Sequence, residues 1–134
     1  MKIKLILAFV LPVLFSACGN HSHEQEKIEL NAGQKWKVNE EMKPHIEKGR
    51  EMLSAYLTDG DTDYEKLAAD LQEQNSKLIK SCTMDGKSHD ELHKWLHPHL
   101  KLVKQLSDAE NLEEANKITK ELTVSFETYA KHFE

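Results

Sequence analysis

The chain has 134 residues, 23 acidic against 18 basic side chains and a formal net charge of −5, a size suited to one domain. Acidic and basic residues are interleaved, so there is no basic stripe to track phosphates, which argues against nucleic-acid binding. With two cysteines and no Cys-x-x-Cys-His motif, a disulfide framework and covalent c-type haem attachment are also excluded.

Lys2 and Lys4 open the chain, an apolar run extends from Leu5 to Phe15, and the small residues Ser16 and Ala17 follow: the order of a secretory signal. Eleven apolar residues rise about 16 Å as a helix against a hydrocarbon core of about 30 Å, too short for a comfortable span, so cleavage is expected. The stretch Leu14-Phe15-Ser16-Ala17-Cys18 resembles the lipobox of bacterial lipoproteins, although Phe15 stands where that motif usually has Leu. The resemblance implies that the Cys18 thiol is acylated and becomes the first residue of a mature protein anchored in the cell envelope, facing the periplasm or the cell surface. Removal of residues 1–17 takes Lys2 and Lys4 with it, leaving 117 residues and a charge of −7. Cys82 is then the one free thiol.

From Gly19 to about Lys35 the chain is polar and aperiodic and reads as a tether. His21 and His23 flank Ser22 within it, close enough to share a metal at the cost of ordering the linker. The expected organisation is therefore a signal over 1–17, a lipidated cysteine and tether over 18–37, and a folded domain over 38–134.

Helical spacing follows. Met42, Ile46, Gly49, Leu53 and Tyr56 define a first helix, starting at Asn39 or, given Pro44, nearer Lys43, and stopping at Asp59-Gly60. Thr62 with Glu65 makes a capping-box pattern for a second, with Tyr64, Leu67, Leu71 and Leu78 on its apolar face. Ser88 with Glu91 makes another for a third, carrying Leu92, Leu96, Leu100, Val103 and Leu106, with a kink expected at Pro98. Ser107 or Asn111 begins a fourth, with Leu112, Ala115, Ile118, Leu122, Phe126, Tyr129 and Phe133. Four amphipathic helices on short loops predict an all-α, antiparallel up-down four-helix bundle.

The segment Cys82 to His99 holds the mature thiol, one of the four methionines and four of the eight histidines. In a helix beginning at Ser88, His89, His93 and His97 fall one turn apart on one side, with His97 on the flank and His99 facing away. Two imidazoles four residues apart can share an ion, and the preceding loop could bring Cys82 and Met84 to the same end. Thiolate, thioether and imidazole together suit copper best and zinc next, whereas calcium and magnesium want oxygen cages. The expected metal ligands are therefore Cys82, Met84, His89, His93 and His97.

A competing cofactor is non-covalent b-type haem, with His89 or His93 and one of Met42, Met52 and Met84 as axial ligands. Enzyme chemistry has less support: Cys82 with His89 or His93 has no evident third orienting group, and Asp90 with His93 stands alone where a di-iron bundle repeats Glu-x-x-His. The pattern CTM-x-G-x-x-HDELH-x-WL, together with KWKVNEEM at 35–42, is similar to small helical envelope proteins of Bacteroidota, a resemblance that implies no activity. Two functions follow as expectations: a soft-metal binder at the membrane surface, or a non-catalytic helical adaptor docking an envelope protein partner.

Overall fold

The structure is a computed structural model that describes residues 26–134. The proposed signal peptide, Cys18, His21 and His23 lie outside the described residues. Four helices follow in order: α1 (Lys43–Asp59), α2 (Tyr64–Ser81), α3 (Gly86–Asp108) and α4 (Leu112–His132). Each packs on its chain neighbour and α1 closes the ring on α4. With connections of three or four residues, neighbours run antiparallel, giving the four-helix arrangement expected from the periodicity. Among the described residues no helix is long and apolar enough to cross a membrane.

Helix boundaries follow local chemistry. Pro44 sits in the first turn of α1, where its missing N–H has no helical partner to lose. Gly60 ends α1 in the left-handed conformation, φ 64°, with its N–H returned to the Tyr56 carbonyl. Helix α2 is capped by the Asp63 side chain, which accepts from Lys66 N at 3.0 Å, and Thr62 is left outside the helix. Helix α3 begins two residues earlier than the Ser88–Glu91 pattern suggests, and Ser88 Oγ instead donates to the Asp85 carbonyl at 3.2 Å. It runs through Pro98 to Asp108. Asn111 Oδ1 caps α4 by accepting from Glu114 N at 2.9 Å, as the sequence suggests.

The apolar faces meet in one core. Leu71, Leu78, Leu92, Val103, Leu106, Ala115 and Leu122 are almost wholly enclosed. Gly49 permits a close approach: a Cβ there would stand 3.3 Å from Phe126 Cζ and 3.6 Å from Leu71 Cδ2, so its lack of a side chain lets α1 settle between α2 and α4.

The stretch read as a tether up to residue 37 is docked over its described part. A tight turn links Asn31 and Gln34, and the chain then pairs with the C-terminus: Trp36 N donates to the His132 carbonyl at 2.8 Å, Glu134 N to the Trp36 carbonyl at 2.9 Å and Val38 N to the Glu134 carbonyl at 2.9 Å. Trp36 itself is buried, and its Nε1 donates to the Glu29 carbonyl at 2.6 Å. Polar composition hid this strap because backbone bonds and one tryptophan hold it.

Candidate metal centre

Helix α3 presents its histidines on two sides. His89 and His93 are half-buried and His97 is exposed on the flank, as the four-residue spacing dictates. His93 stands between the other two. Its Nε2 is 3.0 Å from His89 Nε2, and its Nδ1 is 2.9 Å from His97 Nε2. Ring centroids are 4.3 Å and 4.7 Å apart, with the rings edge to face.

A neutral imidazole carries one N–H, so this ladder has one direction at a time. Either His89 donates to His93 and His93 to His97, or both bonds reverse. Protonation of His93 would replace its one acceptor nitrogen with a second donor. Burial, and then the positive charge that His89 and His97 would carry, hold the His93 pKa below the ordinary imidazole value, with Asp90 opposing. The lowered value favours the neutral ring, whose one lone pair accepts a hydrogen bond within the ladder.

The ladder borders an open groove of about 1090 Å³ between α3 and α4, lined by His93, His97, Pro98, Lys101, Glu121 and Val124 among others. The strap reaches the same groove through Glu26 and Ile28. Lys94 Nζ donates to the Lys27 carbonyl at 3.4 Å, and Glu29 N donates to Glu91 Oε2 at 2.8 Å. Glu91, which the sequence suggests as a capping residue, is thus a buried carboxylate, 3% exposed. Burial pushes its pKa up, but the Lys94 ammonium and the Glu29 N–H outweigh that and hold it below the usual carboxylate value.

Cys82 caps the end of α2 and Met84 lies in the following loop; both are half-buried and packed against the apolar core. Cys82 is a free thiol. Among the described residues no three His, Cys, Asp or Glu side chains converge in a group that could hold one ion. The ladder explains this: His93 meets its two neighbours through different nitrogens, so donors gather in twos. Of the methionines considered for haem, Met42 is wholly enclosed by the core and Met52 is half-buried.

His99 faces away from the ladder, into the core. It is 1% exposed, stacks on Trp95 with centroids 4.8 Å apart, meets Phe126 edge-on at 4.8 Å, and shares a 2.9 Å hydrogen bond between its Nδ1 and Ser125 Oγ. Burial pushes its pKa down to about 4. The signal for this role was present in the heptad interval that places His99 midway between Leu92 and Leu106, two fully buried leucines. Comparison with family models, curated proteins and solved structures gives no match for this chain.

Proposed function

We propose that this chain is a lipid-anchored envelope protein that binds a soft or borderline transition metal, copper before zinc, through neighbouring imidazoles of His89, His93 and His97. The observation that carries the reading is the pair of nitrogen separations around His93, 2.9 Å and 3.0 Å. Two nitrogens each about 2.0–2.1 Å from one ion stand roughly 2.9 Å apart at a right angle and roughly 3.4 Å apart at a tetrahedral angle. Small side-chain rotations would turn two such neighbouring lone pairs onto one ion, and imidazole donors suit copper first and zinc next. Asp90, whose charge acts on His93, adds attraction for a cation. The lipobox-like stretch Leu14–Cys18 supports the anchored location, and this reading rests on the histidines alone, without Cys82 or Met84.

The test is metal analysis and a competition titration on the full chain carrying Cys18→Ser and solubilised in detergent, measured against a chromophoric copper chelator. Tight, stoichiometric copper uptake, strongly impaired in His93→Gln and little changed in Cys82→Ser and His132→Ala, is the expected result. Equal uptake in wild type and His93→Gln would overturn the proposal and leave a partner-docking bundle as the better reading.

A further inference from the structure

The ladder contains two pairs of facing nitrogens rather than one. His93 Nε2 faces His89 Nε2, and His93 Nδ1 faces His97 Nε2. The two nitrogens of an imidazole diverge on opposite sides of its ring, so a single ion can take one of them but not both. His89 and His97 are eight residues apart, about 12 Å along the helix axis, and cannot share an ion without His93. We propose that the ladder takes two divalent copper ions, one between His89 and His93 and one between His93 and His97, bridged by the deprotonated ring of His93.

Filling both positions releases one proton in total. In the neutral ladder that runs from His89 to His97, the first ion binds His89 Nε2 and His93 Nε2, and the His89 proton moves to its own Nδ1, with no net release. The second ion binds His93 Nδ1 and His97 Nε2 and displaces the remaining His93 N–H proton to solvent. His93 is then an imidazolate whose negative charge offsets part of the repulsion between the ions. No electron is transferred, and water or other ligands fill the remaining positions. The open groove beside His93 and His97 leaves room for them.

This inference rests on metal binding at the ladder but can fail separately from it. The experiment titrates Cu(II) into the full detergent-solubilised chain carrying Cys18→Ser, Cys82→Ser, His21→Gln and His23→Gln, so that no thiol reduces the metal and no tether histidine adds a site. Uptake is followed by dialysis and paramagnetic resonance. Two equivalents should bind, the first giving an ordinary isolated-ion signal and the second abolishing most of it through magnetic coupling across the bridging ring. His89→Gln and His97→Gln should each bind one ion with an uncoupled signal, and His93→Gln should bind neither tightly. Saturation at one ion, or two ions with full additive signal, would overturn the shared ring while leaving the ladder a metal site. Absence of stoichiometric uptake would overturn both readings.

Discussion

His99 Nδ1 lies 2.9 Å from Ser125 Oγ, a hydrogen bond that fastens the middle of α3 to α4 inside an aromatic pocket of Trp95 and Phe126. A histidine held neutral in such a place makes the fold sensitive to acid. The folded-state pKa is about 4 against 6.5 for the free side chain, so the unfolded chain gains a proton first as pH falls. Stability is fully present above about pH 6.5 and declines toward pH 4, with a total loss of about 3 kcal/mol. Urea denaturation midpoints across that window should show the decline, and His99→Leu should flatten it. An undiminished slope in the variant would assign the acid sensitivity to other groups.

Leu122 sits fully enclosed at the centre of α4. Its replacement by Ala should cost about 2–5 kcal/mol, from lost apolar burial and the cavity left behind. Denaturant unfolding followed by circular dichroism checks this, with a helix-dominated spectrum retained. A negligible loss would mean that the helices do not converge on this side chain.

Trp36 holds the strap by filling a core pocket while its backbone pairs with residues 132 and 134. Trp36→Ala should release the strap before the bundle. Hydrogen exchange at the amides of Trp36, Val38 and Glu134 should accelerate markedly, with exchange in α2 changed far less. Uniform acceleration throughout would show the strap to be part of one cooperative unit with the helices.

Metal affinity at the ladder should fall with pH because protons compete for the same nitrogens. Burial and the neighbouring imidazoles lower the His93 pKa, so the fall should begin at a more acidic pH than for an isolated surface histidine pair. A chelator competition repeated from pH 7.5 to pH 5, values on the order of the free imidazole range, tests this. A pH-independent affinity would be incompatible with imidazole donors.

Anchoring is tested separately. Cys18→Ala should abolish fatty-acid labelling and membrane retention in cell fractionation while leaving the helical spectrum intact. Continued labelling of the variant would remove Cys18 as the attachment point.

The helices were legible because their physics is local. Three- and four-residue spacing located the apolar faces, except that Leu112 at the start of α4 is exposed, and Pro44, Gly60 and Asn111 marked ends that the structure reproduces. Three-dimensional competition decided what the sequence concealed. Glu65 and Glu91 each fit a capping box, but Asp63 lies closer to the start of α2, and Glu91 is drawn into the core to meet the strap. The histidine spacing was equally plain, whereas the nitrogen each ring presents depends on rotamers that spacing does not specify. Composition put Cys82 and Met84 near the histidines, and their packing against the core became visible only when the helices were assembled.

The docked strap also sets the reach of any lipid attached at Cys18. If the chain left the body at residue 38, a lipid on Cys18 would let the bundle roam about 70 Å from the bilayer, taking about 3.5 Å per extended residue. The described chain instead begins at Glu26, beside the groove, so the eight residue steps from Cys18 span at most about 28 Å. If Cys18 carries a lipid, docking of the strap beside α3 and α4 shortens the bundle's reach from the bilayer by more than half.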